Sequence, residues 1–172
     1  PAALGNLANL QELYLDSNQL SGSILAELGN LSNLTYLGLY SNQLTGSIPA
    51  LTGLTNLFGF SVSHNQLTGP IPALTGLTTL QGFAVQNNQL TGNVPSVPSP
   101  SALVSSGSSL CPNLLNQTAD PAWDTATGVT PWYADCVGFV TPPTLQSALS
   151  RKVHGAAGTF DLARHIRAAT AR

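Results

Sequence analysis

A single spacing of leucine residues recurs through the first half of the chain and restricts the folds that this sequence can adopt. Each copy contains one asparagine at the same place in the pattern, at positions 18, 42, 65 and 88. The interval between these asparagines is almost constant and shortens slightly after the first. The copies follow the pattern L-x-x-L-x-L-x-x-N-x-L, with phenylalanine and valine replacing two leucines in the third and fourth. Such a period predicts a solenoid, because one copy cannot cover its own apolar side chains and neighbouring copies must stack.

Alternation of side chains within each copy predicts a short strand. In the first copy, Leu13 and Leu15 alternate with Tyr14 and Asp16, which is the period of a strand that is buried on one side. Stacked copies would place these strands in parallel, about 4.8 Å apart. The amide of each asparagine can both donate and accept hydrogen bonds. We therefore predict a structural ladder of asparagines at Asn18, Asn42, Asn65 and Asn88.

The segment that follows each asparagine indicates the type of repeat. NQLTGSIP at 42–49 is echoed by NQLSGSIL, NQLTGPIP and NQLTGNVP in the other copies. Residues 1–97 therefore resemble the plant-type, extracellular leucine-rich repeat, which bacterial and algal secreted proteins also carry. The resemblance implies an α/β-type solenoid with short parallel strands on its concave face, a second short strand in the L-T/S-G-x-I-P segment, and loops or 3-10 turns on its convex side. It also implies a secreted or cell-surface location and recognition of a protein partner.

The outward positions of the predicted concave strands form the candidate binding surface. Aromatic side chains cluster there on the first three copies, and few charges accompany them, which is typical of the centre of protein interfaces. The alternative is that these aromatic side chains only stack on one another across the strands. The candidate partner-binding residues are Glu12, Tyr14, Asp16, Tyr36, Tyr40, Phe58 and His64.

The distribution of charge excludes two classes of partner. Residues 1–150 contain no lysine or arginine, and all 5 basic residues lie in 151–172. Without these cations, residues 1–150 cannot make the phosphate contacts of a nucleic-acid-binding protein. They also lack the cations that attract a protein to anionic lipid. Since no run of about 18 apolar residues is present, we expect no membrane insertion.

No pattern in the sequence indicates catalysis, a metal site or a cofactor. The nucleophile and nucleotide-binding motifs G-x-S-x-G and G-x-G-x-x-G are absent. Glu12 and Asp16 could in principle serve as the carboxylate pair of a glycosidase. On an open sheet, however, a solvated pair is the expectation, and His64 is expected to be a surface residue. The sequence therefore predicts a binding protein rather than an enzyme.

A second function class remains open beside protein recognition. The predicted second strands carry a regular hydroxyl column at Ser21, Thr45, Thr68 and Thr91. Such a column is expected of a structural or adhesion element that binds a polysaccharide, ice or itself. A clustered aromatic surface favours a protein ligand instead.

The N-terminal end of the solenoid is predicted to expose apolar surface. Leu4, Leu7 and Leu10 begin the apolar core, and no polar capping sequence precedes them. Exposed apolar patches commonly mark association surfaces. We therefore predict that the chain self-associates through this end, or that sequence outside this chain covers it.

Residues 98–136 are predicted to form a degenerate repeat and a C-terminal cap. Cys111 follows Asn88 by the same interval that separates Asn65 from Asn88, so it stands where the next ladder residue would fall. The repeat consensus permits cysteine there. Leu103 follows Leu80 by that interval too. A degenerate fifth turn is one interpretation, and a proline- and serine-rich linker is the other.

Cys111 and Cys136 are the only cysteines of the chain. Two cysteines that flank a short segment after a solenoid look like a C-terminal cap. The oxidising compartment that the resemblance implies would pair them as a disulfide. Metal binding is less favoured, because neither cysteine has a C-x-x-C partner or a nearby histidine.

Three aromatic side chains lie between the two cysteines, at Trp123, Trp132 and Tyr133. We expect them to pack on the last repeat, and stacking of the tryptophans on a carbohydrate is the alternative. Glycosylation sequons occur at Asn30, Asn33 and Asn116, and each is weak evidence in a chain so rich in asparagine, serine and threonine. Residues 137–172 are predicted to be a linker or the truncated start of another segment, ending in a basic tail.

Overall fold

The computed structural model describes residues 2–136, and they form a solenoid of about five turns. Each of the first four turns contributes one strand to a first parallel sheet, in the order β1-β3-β5-β7. Its strands are β1 (Glu12–Tyr14), β3 (Tyr36–Gly38), β5 (Gly59–Ser61) and β7 (Gly82–Ala84). This is the sheet that the repeat pattern predicts for the concave face.

The second strand of each turn builds a second parallel sheet, in the order β2-β4-β6-β8-β9. Its strands are β2 (Ser21–Ser23), β4 (Gln43–Gly46), β6 (Gln66–Gly69), β8 (Gln89–Gly92) and β9 (Leu114–Leu115). The glycine of each repeat has a left-handed backbone, as at Gly46 with φ 75°. Side chains other than glycine rarely adopt that conformation, which explains why the motif carries glycine there.

The connections opposite the first sheet are turns and short 3-10 helices. The 3-10 helices span Ala2–Asn6 and Ala26–Asn30, and the shorter connections of the later repeats form turns instead. None of the helices in residues 2–136 is long and apolar enough to cross a membrane. The predicted α/β-type leucine-rich repeat solenoid is therefore the observed fold.

The core is a continuous stack of the repeated apolar positions. Leu37, Phe60 and Phe83 occupy equivalent places in neighbouring strands, and each is at most 3% exposed. The rings of Phe60 and Phe83 stack with their centroids 5.3 Å apart. Larger aromatic residues in the later turns therefore fill the same core column that leucine fills in the earlier ones.

Hydrogen bonds of the predicted asparagine ladder join each turn to the one before it. The Nδ2 atom of Asn65 donates to the carbonyl of Leu39 in the preceding turn, at 3.0 Å, and to Val62 in its own turn, at 3.1 Å. Its Oδ1 atom accepts from the backbone amide of Leu44, at 2.9 Å. Asn42 and Asn88 repeat this set of bonds. Asn18 bonds only within its own turn, because it lies in the first one.

A fifth turn is present, but the prediction that Cys111 is its ladder residue is wrong. Asn113 occupies that place: its Oδ1 atom accepts from the amide of Leu90 at 2.9 Å, and its Nδ2 atom donates to Val85 at 2.8 Å. The register still follows the period of the preceding repeats at Val104, whose amide bonds Gln81. By Ser109, which pairs with Ala84, the paired residue lies further along the chain than the repeat period predicts. Two additional residues in this stretch move the asparagine past the cysteine.

A short helix and a disulfide close the C-terminal end of the solenoid. Asp120 caps the N-terminus of helix α1 (Pro121–Thr127), where its carboxylate accepts a hydrogen bond from the amide of Ala122. Its Trp123 side chain lies 6.1 Å from the ring of Phe83 and donates from Nε1 to the carbonyl of Pro95 at 2.7 Å. The helix therefore covers the last turn of the core with an aromatic side chain whose polar atom is satisfied.

Cys111 and Cys136 form the predicted disulfide, with their Cα atoms 5.0 Å apart. Trp123 and Trp132 are 0% and 2% exposed, so the packing expectation is confirmed and the carbohydrate-stacking alternative is wrong. A buried indole cannot present its face to a sugar ring. The linker, truncated segment and basic tail predicted for residues 137–172 lie outside the described residues.

Substitution of one ladder asparagine tests its contribution to stability. In Asn65→Leu, the amide of Leu44 and the carbonyls that Asn65 bonds would lose a partner. Each polar group left unsatisfied costs about 1–3 kcal/mol. We expect the free energy of unfolding to fall by at least about 2 kcal/mol in chemical denaturation. The matched control is Gln66→Leu, which removes an exposed amide next along the chain. A melting temperature of Asn65→Leu within a degree of wild type would contradict the ladder.

Candidate functional site

The outward face of the first sheet carries a compact group of tyrosines and carboxylates on turns one and two. We refer to Tyr14, Tyr36, Tyr40, Glu12 and Asp16 as the tyrosine patch. Three of these residues lie in β1 or β3, and Asp16 and Tyr40 each follow one of those strands by two residues. The register pairs Glu12 with Tyr36, so the two turns bring the five residues onto one side of the sheet.

Two tyrosine rings form the centre of the patch. The rings of Tyr14 and Tyr36 stack with centroids 4.7 Å apart and planes inclined by 28°. Tyr14 remains 57% exposed, so most of its ring is available to a partner. The predicted alternative, in which these aromatics stack on one another, therefore describes part of the geometry, but it leaves a large exposed aromatic surface.

Two glycines make room for the ring of Tyr36. A methyl group at Gly59 would lie 2.7 Å from the ring, and one at Gly38 would lie 2.9 Å from it. Contacts between carbon atoms are favourable only at about 3.5–4.0 Å. The absence of side chains at these positions on β3 and β5 thus allows the ring of Tyr36 to lie against the surface of the sheet.

The two carboxylates act on the tyrosine hydroxyls. The pKa of Tyr40 is raised, first by the hydrogen-bonding interaction with Asp16 and then by the negative charge of that carboxylate. The pKa of Tyr14 is raised by partial removal of its ring from water and by the charge of Glu12. Both hydroxyls are therefore protonated at neutral pH and can donate hydrogen bonds.

The remaining two candidate residues lie farther along the same sheet. Phe58 immediately precedes β5 and is 51% exposed. Within residues 2–136 its ring stacks on none of the tyrosines. His64 has a left-handed backbone, with φ 55°, and its Nε2 atom lies 3.2 Å from the Nδ2 atom of Asn87. The structure thus brings five of the seven sequence-predicted residues together and places the other two toward the C-terminal end.

Turns three and four present a smaller and more polar surface beside the patch. Ser61 and Ser63 lie with their hydroxyl oxygens 3.4 Å apart. Gln86 follows β7 on the equivalent position of the next turn, and its Oε1 atom is buried without a hydrogen-bond partner in the described residues. The residues that sequence reasoning missed are the glycines that shape the patch. Their signal was present, because Gly38 and Gly59 occupy outward positions where the first repeat carries Tyr14 and Glu12.

The second sheet does not present its threonines in a straight file. Its register pairs Thr45 with Gln66, and Thr68 with Gln89. Thr45 and Thr68 therefore each stand beside a glutamine of the next strand, and Thr91 stands beside Leu114, so none of the three stands beside another threonine on that strand. Within the described part of the chain, no group of three histidine, cysteine, aspartate or glutamate side chains could hold a metal ion.

The comparisons with known proteins agree with this fold. The sequence model of the family described as Leucine Rich Repeat matches residues 9–31 and 33–54. No curated protein matched the sequence. Together with the structure, the family match shows that the chain contains leucine-rich repeats.

Similar solved structures are ectodomains of plant receptor kinases. One is the ectodomain of GASSHO1/SCHENGEN3 from Arabidopsis thaliana in complex with CASPARIAN STRIP INTEGRITY FACTOR 2. It has 41% sequence identity and a TM-score of 0.61, and the match covers 67% of this chain and 14% of that chain. Another is the BIR2 ectodomain from Arabidopsis thaliana, with 39% identity and a TM-score of 0.57 over 67% of this chain and 62% of that one.

A third similar structure is the ectodomain of the Arabidopsis receptor kinase HAESA in complex with an N-terminally extended IDA peptide hormone. It has 33% identity and a TM-score of 0.50, over 67% of this chain and 24% of that one. The chain thus spans less than two thirds of the length of each of these ectodomains.

Neutralising one carboxylate tests the electrostatics of the patch. In Asp16→Asn, the acceptor that favours the protonated phenol loses its charge, so we expect the pKa of Tyr40 to fall toward the ordinary tyrosine value. Titration of ¹³C-labelled tyrosine by NMR resolves the four tyrosines and gives this pKa directly. Asp135→Asn, at an exposed position of the cap, should leave it unchanged. An unaltered Tyr40 pKa in Asp16→Asn would show that the carboxylate does not act on this hydroxyl.

Proposed function

We propose that this chain is an extracellular binding module that recognises a peptide or protein partner through the outward face of its first sheet. The observation that carries the proposal is the exposed tyrosine patch, where Tyr14 and Tyr36 form a stacked aromatic surface. Of the residues predicted from sequence, the five of the patch are proposed to contact the partner at its centre. Phe58 and His64 are proposed to extend the contact along the sheet.

The similar structures support this class of function. They are leucine-rich repeat ectodomains, and two of them are complexes with CASPARIAN STRIP INTEGRITY FACTOR 2 and with a peptide hormone. The fold is typically a non-enzymatic binding module. The disulfide between Cys111 and Cys136 is consistent with an oxidising, extracellular compartment.

The chemistry of the face also favours a protein or peptide ligand. Tyrosine supplies a large contact area with a polar tip, and it is enriched among the residues that dominate binding energy at interfaces. A protein that binds a glycan or ice would be expected to present a flat, regular array of hydroxyl groups. In the second sheet of this chain, Gln66 and Gln89 stand beside the threonines and interrupt such an array. We therefore assign recognition to the first sheet rather than to the second.

Variants on the two sheets test which face binds. Selection of binders from a displayed random peptide library supplies a defined ligand, whose affinity is then measured by calorimetry. We expect Tyr36→Ala to weaken binding at least about tenfold and Phe58→Ala to weaken it less, since truncating an aromatic residue at the centre of an interface can cost about 2 kcal/mol or more. The matched controls are Thr45→Ala and Thr68→Ala, which are exposed on the second sheet. Loss of binding in the threonine variants alone would assign recognition to the other face.

Self-association through the N-terminal end is a separate proposal. The first turn leaves a cavity of about 220 Å³ lined mainly by leucines, including Leu4, Leu13 and Leu20. Leu7 is 48% exposed and Leu20 is 37% exposed. A second copy of the chain, or sequence outside this chain, would bury these leucines, and burial contributes about 25 cal/mol per Å² of apolar surface.

Sedimentation measures this association directly. We expect the chain to form dimers whose population falls in the double variant Leu7→Glu with Leu20→Glu. Leu114→Glu is the matched control, because Leu114 is 40% exposed at the opposite end of the second sheet. Circular dichroism confirms that each variant is folded. A wild-type chain that stays monomeric at high concentration would refute the proposal.

A further inference from the structure

We propose that the tyrosine patch is a subsite for an arginine side chain of the peptide or protein partner. This inference rests on the proposed function and gives the chemistry of the anchor. The occupant is an extended segment whose guanidinium lies on the exposed tyrosine rings and pairs with the carboxylates of Asp16 and Glu12. Neither the repeat pattern nor the similarity to other ectodomains assigns a ligand class to these residues.

Three groups converge directly above the backbone of Gly38, which they bury. From the position that a methyl group at Gly38 would occupy, the ring of Tyr36 lies at 2.9 Å, a carboxylate oxygen of Asp16 at 3.5 Å and the ring of Tyr14 at 3.7 Å. A side chain at this position would force these groups apart. Glycine therefore allows two aromatic rings and one anionic acceptor to approach one another over the buried backbone of Gly38, and the exposed part of the Tyr14 ring borders this group on the solvent side.

This combination of groups matches a cation that is planar and donates several hydrogen bonds. Cations within about 6 Å of an aromatic ring are attracted by its negative face, and arginine makes such contacts more often than lysine. The guanidinium also presents its N–H groups in a fixed fork that suits a carboxylate. Glu12, which faces Tyr36 across the strand pair, offers a second acceptor at the edge of the rings.

Charge complementarity supports a cationic occupant. The tyrosine patch contains two carboxylates, and residues 1–150 supply no lysine or arginine to neutralise them. Turns three and four place only uncharged side chains and His64 on the same face. The negative charge of the face is thus concentrated on turn one, beside its largest aromatic surface. The pKa values of Tyr14 and Tyr40 are raised, so these two hydroxyls add hydrogen-bond donors beside the carboxylates and no further charge.

The test uses the whole chain and small probes that differ in one property. N-acetyl-arginine methylamide carries the guanidinium, N-acetyl-citrulline methylamide is its uncharged isostere, and N-acetyl-lysine methylamide carries an ammonium instead. Binding is followed by ¹H–¹⁵N NMR. We expect the arginine probe to shift the amides of residues 12–16 and 36–40, to bind at least about fivefold more tightly than either other probe, and to weaken with added salt.

Variants separate a built subsite from general attraction to acidic groups. Asp16→Asn and Glu12→Gln should each weaken binding of the arginine probe, by about fivefold and about twofold respectively. Asp135→Asn removes the same charge from an exposed position of the cap and should leave the affinity unchanged. Circular dichroism and the amide shifts of the other turns report whether each variant is folded. If Asp16→Asn is unstable, the comparison of arginine with citrulline on the wild-type chain still decides the question.

Several outcomes would overturn the inference. Equal affinity for citrulline would show that charge is not recognised, and equal affinity for lysine would show that the site does not select the guanidinium. Shifts spread over all acidic residues would indicate nonspecific attraction. A selected peptide whose binding requires Tyr36 but is insensitive to Asp16→Asn would leave the proposed function standing and would refute the arginine subsite alone.

Discussion

The asparagine ladder is the interaction on which the rest of the structure depends. Each inner asparagine donates to the turn before it and accepts from an amide of that same turn, as Asn65 does with Leu39 and Leu44. These bonds lie where the chain leaves the first sheet for the second, so they satisfy turn groups that neither sheet could pair. They therefore fix each turn relative to the one before it at a point between the two sheets, and this alignment keeps the repeated leucines stacked.

A uniform backbone leaves the outward positions free to differ between turns. In turns one and two these positions carry tyrosines and carboxylates, whereas Gly59 in turn three leaves space that the ring of Tyr36 occupies. The shape of the tyrosine patch thus depends on Tyr14 and Tyr36, whose rings stack across β1 and β3, and on the glycines beneath the ring of Tyr36. Changing Gly38 or Gly59 would alter the surface without altering the ladder or the core.

The sequence predicted the features that the repeat period determines. The strands, the ladder at Asn42, Asn65 and Asn88, and the pairing of the two cysteines follow the pattern or the resemblance. The fifth ladder residue did not follow, because two additional residues before Ser109 shift the register and bring Asn113 rather than Cys111 into place. Its local signal, L-x-x-N-x-L from Leu110, was in the sequence but out of phase with the preceding copies. The convergence above Gly38 could not be predicted, since alternation assigns a side chain to a face but not the direction in which it leans.

The geometry of the first sheet limits what a partner can contact on it. Four parallel strands about 4.8 Å apart span roughly 14 Å from the first to the last. An extended peptide that crosses them rises about 3.3 Å per residue, so only about four or five residues face the sheet at once. A segment this short gains little from backbone contacts with a surface whose own amides are already paired. Most of the binding energy must then come from one or two well-placed side chains. The aromatic and anionic groups lie together on turns one and two, so an anchor there would also fix which residues of the segment lie over Phe58 and His64.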